Sequence, residues 1–164
     1  MNIIIPYEKF DPTHIFFLEK RPTNFREPIS SIESEKWQNM NKTATGNYTK
    51  IIYSTKYFSM NGIYLSFPII PLTIHKNYIS ISVFDLSEEF LTYMRTIETK
   101  CLEYYSEFYS INKKKRPVYH LMHQIQTGNI KYYKENHGSK TYIKISGIWD
   151  TEIEYGITYK IIMG

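Results

Sequence analysis

Cysteine, alanine and valine are almost missing from this 164-residue chain, which has a single cysteine. That cysteine, Cys101, excludes an internal disulfide framework and a cysteine-rich zinc site. Ala44 is the sole alanine, and Val83 and Val118 are the only valines. No apolar run is long enough for a membrane-spanning helix. The start, Met1-Asn2-Ile3-Ile4-Ile5-Pro6, lacks the basic flank and the length of a signal peptide. The glycines are scattered without any Gly-x-Gly, which excludes a Gly-rich phosphate loop, and no Gly-x-Ser-x-Gly elbow occurs. Together these absences point to an intracellular, reducing setting. The sequons Asn41-Lys42-Thr43 and Asn47-Tyr48-Thr49 then read as chance matches.

What is present is uneven. Ile, Lys, Tyr, Asn and Phe make up nearly half the chain, and all have A/T-rich codons, so part of the bias is genomic. The 42% apolar content and the many aromatics exclude a wholly disordered chain. The length allows one domain, or one domain with an arm. The net charge of +4 is modest but unevenly spread: +1 over residues 1–50, −2 over 51–110 and +5 over 111–164. The basic excess includes the run Lys113-Lys114-Lys115-Arg116, a feature that suits a polyanionic partner, although a solvated loop would also carry it.

Residues 1–47 read as an irregular N-terminal arm packed on the main domain, because Pro6, Pro12, Pro22 and Pro28 break any long element. A short helix is expected within residues 29–40, capped by Ser31 or Ser34, with Trp37 on its buried side. From residue 48 the pattern becomes strand-like. Residues 48–58 are rich in Ile, Tyr and Thr, and Asn61-Gly62 is a hairpin signal. Ile63, Leu65, Phe67 and Ile69 then alternate with Tyr64, Ser66 and Pro68, and Ile79, Ile81 and Val83 alternate with Tyr78, Ser80 and Ser82.

The period then switches. Asp85-Leu86-Ser87-Glu88 resembles a capping box with Asp85 as N-cap. Phe90, Met94, Ile97, Cys101, Tyr104 and Phe108 follow at helical spacing, with Glu89, Arg95, Glu103 and Glu107 opposite. Residues 118–125 and 130–133 are expected to pair as a hairpin across Thr127-Gly128-Asn129. Residues 140–149 read as a strand with a bulge at Gly147, the acidic stretch 150–154 as a solvated turn, and residues 155–162 as the last strand. Three strands, one long helix and two strands is the order of an OB-fold: a mainly β, five-stranded Greek-key barrel with its helix between strands three and four, here over residues 48–164. An α+β sheet with helices on one face would read similarly.

Local motifs for catalysis are sparse. His120 and His123 would share a face on a helix but not on a strand, and no neighbouring Cys or carboxylate completes a tetrahedral metal set. Cys101 falls on the apolar helical stripe. Asp150, Glu152 and Glu154 would serve a Mg²⁺-dependent nuclease only if they converged. No cofactor or resident metal is expected.

Single-strand binding asks for cations along a backbone and flat rings for bases. The chain interleaves the two in Lys50-Ile51-Ile52-Tyr53, Lys56-Tyr57-Phe58, Lys131-Tyr132-Tyr133-Lys134, Lys140-Thr141-Tyr142-Ile143-Lys144 and Tyr159-Lys160. The candidate stacking residues are Tyr64, Tyr78, Tyr132, Tyr142 and Trp149, the last of which suits a core equally. The candidate phosphate contacts are Lys56, Lys113, Lys114, Lys115, Arg116, Lys131, Lys134 and Lys144. No RNP motif, GXXG loop or zinc-finger spacing appears, so base-specific reading is not expected.

The stretch Tyr142-Ile143-Lys144-Ile145-Ser146-Gly147-Ile148-Trp149, followed by Tyr155-Gly156-Ile157-Thr158-Tyr159-Lys160, resembles the final strand pair of single-stranded-DNA-binding proteins of large nucleocytoplasmic DNA viruses. The resemblance covers about 20 residues clearly and the rest of 48–164 only in strand–helix order. It implies an OB-fold, sequence-independent binding of single-stranded DNA and a part in viral replication or recombination; RNA would meet the same features. Many such proteins end in an acidic tail, whereas this chain ends Lys160-Ile161-Ile162-Met163-Gly164, so partner recruitment through a tail is not expected. A viral interaction or virion protein, with the aromatics buried and the arm docking a partner, is the alternative.

Overall fold

A computed structural model describes residues 3–24, 45–135 and 140–164. The short helix expected within residues 29–40, with Trp37, lies outside the described residues. The protein is mainly β, a curled half-barrel sheet with one long helix. Its strands in chain order are β1 (Ile15–Phe17), β2 (Arg21–Asn24), β3 (Thr45–Ser54), β4 (Ser59–Asn61), β5 (Ile63–Ser66), β6 (Thr73–Ile74), β7 (Tyr78–Ser80), β8 (Arg116–Val118), β9 (Asn129–Lys131), β10 (Tyr133–Lys134), β11 (Tyr142–Asp150) and β12 (Glu154–Met163). The helices are α1 (Glu88–Phe108) and α2 (His120–Thr127).

The curl has two identifiable hinges. β3 pairs with β11 through residues 47–50 and with β4 through residues 52–54. The chain then leaves β3 at Gly62 and continues as β5 along the other half of β11. Gly62 adopts φ +97°, and a Cβ there would lie 2.9 Å from the Ile145 carbonyl oxygen, so only glycine makes this crossing without strain. The Asn61-Gly62 pair is therefore a bend between two partner strands, and the hairpin turn falls at residues 55–58. The second hinge is the expected bulge. Ile145 opposes Tyr159 and Gly147 opposes Thr158, leaving Ser146 as the extra residue. β3 passes so close that a Cβ on Gly147 would sit 2.4 Å from the Thr49 carbonyl oxygen.

The long antiparallel pair β11–β12 is the spine of the sheet. The outer edge of β12 takes two short parallel strands, β8 at residues 154–156 and β10 at 162–163. The segment expected to be irregular adds β1 and β2 to β3, and Ile5 bridges to Leu65. A second, small sheet runs β6–β7–β9.

α1 packs on the inner face of the curl. Ser87, not Asp85, caps it: the Ser87 hydroxyl accepts from the Phe90 N–H at 3.1 Å. Glu88 and Glu89 then meet the positive end of the helix dipole. Phe90, Met94, Ile97 and Cys101 face the core as the stripe requires. The lower end departs from it: Leu102 and Tyr105 are buried, whereas Phe108 is 65% exposed. A stripe at 3.6 residues per turn drifts around the helix, and the inner sheet face selects Tyr105. Phe90 meets Phe67 at 5.4 Å between ring centroids, and Tyr105 meets Tyr155 at 5.9 Å.

Residues 120–127, expected as part of a hairpin, form α2 instead. Leu, Met and Gln are good helix formers, and Leu121, Met122 and Ile125 supply a buried helical side. Gly128 ends the helix before β9. Among the described residues, no helix is long and apolar enough to cross a membrane.

Candidate nucleic-acid interface

Register decides which side chains share a face. Directly opposed residues on neighbouring strands point to the same side, and alternate residues along a strand do likewise. Ile63, Leu65, Ile143, Ile145 and Ile161 are buried in the core. The opposite phase therefore forms the outer face. One row across β5, β11 and β12 sets Tyr64, Lys144 and Lys160 side by side. The next sets Ser66, Tyr142 and Ile162, with Tyr133 of β10 beyond. Past the bulge come Lys50, Gly147 and Thr158, then Arg21, Tyr48, Trp149 and Gly156.

Cations and rings meet on this face. The Lys144 ammonium lies 5.4 Å from the centre of the Tyr64 ring. The Lys160 and Lys131 ammoniums lie 4.9 and 5.5 Å from the Tyr133 ring. All three are within cation–π range. Tyr64 and Tyr142 have centroids 6.0 Å apart. The Tyr142 hydroxyl donates to Glu135 Oε2 at 2.5 Å. Burial, that hydrogen bond, the Glu135 charge and Tyr64 together push the Tyr142 hydroxyl up to about 12.

The remaining candidates separate. Tyr64 is only 6% exposed despite its position on the outer face. Trp149 is wholly buried, its six-membered ring against Gly156 and its side chain tilted against His120 at 5.7 Å. It is an interior residue and offers no stacking surface. Tyr78 belongs to the small sheet, 43% exposed and stacked on His75 at 4.3 Å. It opposes Lys131, and the Tyr132 hydroxyl donates to the His75 carbonyl at 2.6 Å. Lys134 is exposed on β10. Lys56 stands at the β3–β4 turn over Tyr57, away from the rows. Lys113 and Lys114 are exposed after α1, and Arg116 is exposed on β8 opposite Glu154. Lys160, Tyr133 and Lys50, quoted above only within longer segments, join the face, as do Tyr48 and Arg21, which were not candidates. Alternation along β12 places Lys160 beside Thr158 and Ile162, but only the parallel pairing of β10 with β12 brings Tyr133 to it.

Lys115 has a different role from its neighbours in the basic run. It reaches inward, its ammonium 2.6 Å from Asp150 Oδ1. Lys20 lies 3.1 Å from Oδ2, and the Tyr105 hydroxyl donates to the same oxygen at 2.6 Å. Asp150, expected in a solvated turn, is instead the wholly buried end of β11. Burial alone would raise its pKa, but the hydrogen bonds from Lys115, Tyr105 and Lys20, with the charge of Lys115, outweigh burial and hold it below the usual carboxylate range. Lys20 also lies 4.2 Å from the centre of the Tyr109 ring.

A second carboxylate is buried on α1. Glu98 accepts the backbone N–H groups of Leu121 and Met122 at 2.9 and 3.1 Å, capping α2 from a neighbouring helix. Burial pushes it up to about 7 against the pull of those two hydrogen bonds and of His120. Burial, with the nearby Glu98 charge, likewise pushes the Cys101 thiol up to about 12, so Cys101 is an inert core thiol.

Asp150, Glu152 and Glu154 do not converge. Asp150 points inward and Glu154 belongs to the opposite phase of β12, while Glu152 is exposed at the turn between them. His120 and His123 do lie on a helix, α2. Among the described residues, no group of three His, Cys, Asp or Glu is placed to hold a metal ion. Comparison of the chain with protein-family models, curated proteins and solved structures finds no match.

Proposed function

We propose that the outer face of the β5–β11–β12 sheet binds single-stranded DNA without sequence preference, in an OB-like Greek-key arrangement, and that the protein serves viral replication or recombination. The observation that carries this reading is the set of cation–ring contacts on one sheet face, Lys144 with Tyr64 and Lys160 and Lys131 with Tyr133. Each pair has the two parts that a nucleotide needs, a charge for the phosphate and a ring for the base. Tyr142 and Tyr133 are the accessible platforms. Tyr64, only 6% exposed, lies beside the Lys144 ammonium and is not an open platform. Arg21 and Lys50 extend the positive track along the same face, and Lys134 and Lys131 border it. Trp149 has no part in stacking.

The test is anisotropy of a labelled oligo-dT at two salt concentrations. Affinity falls as salt rises. Tyr142→Ala weakens binding by about 1–3 kcal/mol, the usual contribution of one stacked base. Lys144→Ala and Lys160→Ala each lower the salt slope by about 1. Binding that ignores salt, or none below millimolar protein, rejects the reading. A stable oligomer without DNA affinity would favour the interaction-protein alternative, for which Ile70, Leu72, Ile74 and Phe84 are exposed apolar side chains.

A further inference from the structure

Lys20 precedes β2 and Lys115 precedes β8, yet both ammoniums converge on one buried acceptor, Asp150. Each ammonium carries three donors, and each is shown giving one to the carboxylate. The two side chains are 25% and 23% exposed, so each lysine keeps part of its length in contact with solvent while its ammonium faces the carboxylate. Two positive charges facing one negative charge leave a local positive excess. Lys113 and Lys114, exposed and next to Lys115 in the chain, add positive charge to the same segment. The lysines are also held in place. Asp150 is anchored from below by the Tyr105 hydroxyl, Lys20 rests on the Tyr109 ring, and the Tyr109 hydroxyl donates to the Leu18 carbonyl at 3.0 Å, fixing the loop that carries Lys20. Much of the entropy cost of ordering two flexible cations is thus met in folding, which favours a ligand that needs both.

We propose that Lys20 and Lys115 form a binding site for a phosphate monoester, with Asp150 as the buried post that holds both ammoniums in position. A tetrahedral phosphate offers separate oxygens to the two lysines, and its negative charge is opposite in sign to the local excess. The site lies at the end of β11 on the inner phase, opposite in phase to the outer-face rows, and does not depend on their binding DNA. The monoester is either the terminal phosphate of a strand or a free nucleotide, and inorganic phosphate is the simplest probe of either.

The experiment titrates the full chain with sodium phosphate against sodium chloride at matched ionic strength, reading amide chemical shifts. The expected result is saturable binding with shifts at residues 20, 115 and 150. Lys20→Met and Lys115→Met each weaken it by about tenfold or more, as loss of one charge-assisted contact implies. Lys100→Met, which removes an exposed cation paired with Glu103 on α1, leaves it unchanged. No saturable phosphate binding beyond chloride, shifts confined elsewhere, or binding that survives both lysine substitutions overturns the proposal. The wild-type shift map alone decides if either variant fails to fold. Oligo-dT with a 5′ or 3′ phosphate that binds wild type more tightly than its hydroxyl-ended twin, with the advantage lost in Lys115→Met, supports the site and assigns it to a strand end. Thymidine monophosphate binding without that advantage supports it with a free ligand. Failure of hydroxyl-ended oligo-dT to bind while phosphate binds removes the DNA reading and supports a phosphate site that stands alone.

Discussion

Asp150 and Glu98 are both wholly buried carboxylates, and the fold treats them in opposite ways. Asp150 sits among two ammoniums and a phenol, so its charge is matched and its proton is held off below the ordinary carboxylate range. Glu98 has only two backbone N–H groups and a nearby imidazole, so burial dominates and its pKa rises to about 7. Burial alone therefore says little about a carboxylate; the charge of its partners decides the sign. The two also tie different parts of the chain. Asp150 joins the N-terminal segment, α1 and the residues before β8 to the end of β11, whereas Glu98 joins α1 to α2.

The largest expected effect follows from breaking the matched site. Asp150→Asn leaves two partly buried ammoniums facing a neutral amide and costs about 3–5 kcal/mol in urea unfolding, as removal of one partner of a buried ion pair does. The pH dependence carries the same sign. Because the folded pKa of Asp150 is depressed, its contribution is present at neutral pH and is lost as pH falls through and below the usual carboxylate range. The Asp150→Asn protein lacks that acid-side loss. If it unfolds like wild type, the buried network carries no stability.

Glu98 supplies the opposite slope. A folded pKa of about 7 against an ordinary 4.5 means that its charged form is disfavoured in the fold. Stability from this group is therefore full below about 4.5 and falls as pH rises through 7, by roughly 3 kcal/mol in all. Urea midpoints at pH 5 and pH 8 measure the fall, and Glu98→Gln flattens it. A wild-type profile with no decline between those values contradicts the assigned environment.

The smallest effect separates the two lysines. Lys115→Met costs about 1.5–3 kcal/mol, the usual range for a hydrogen bond to a charged group. Lys20→Met costs less, because its contact is longer, 3.1 against 2.6 Å, and Lys115 still neutralises the carboxylate. Equal losses at neutral pH would show that Tyr105 and the two ammoniums act as one unit and not as separate contacts.

Much of the sheet was legible. Residues 142–150 and 154–163 alternate clearly, and Gly147 interrupted the pattern where the bulge falls. α1 was legible from its apolar spacing, but Asp85 and Ser87 offered two caps two residues apart, and the hydroxyl of Ser87 is the one within reach of Phe90. α2 was missed because its N-terminus is capped by Glu98, a residue far upstream that no local motif reveals. Lys113, Lys114, Lys115 and Arg116 looked like one solvated run, yet Lys115 alone turns inward. Trp149 was balanced between core and surface in sequence, and its wholly buried position makes it interior. Tyr142 and Lys144 could be placed on one strand face by alternation, whereas their company of Tyr64, Lys160 and Tyr133 required the register.

The sequence by itself determined the strands of the spine, the long amphipathic helix, the bulge at Gly147 and the basic, aromatic character of the last third. These are local properties, written in periods of two and 3.6 residues and in single turn-forming residues. Tertiary structure alone decided that Gly62 bends a strand between two partners, that β8 and β10 run parallel to β12, and that Lys20 and Lys115 share Asp150. Each of those depends on residues distant in the chain meeting at distances of a few ångströms, and periodicity carries no information about such meetings.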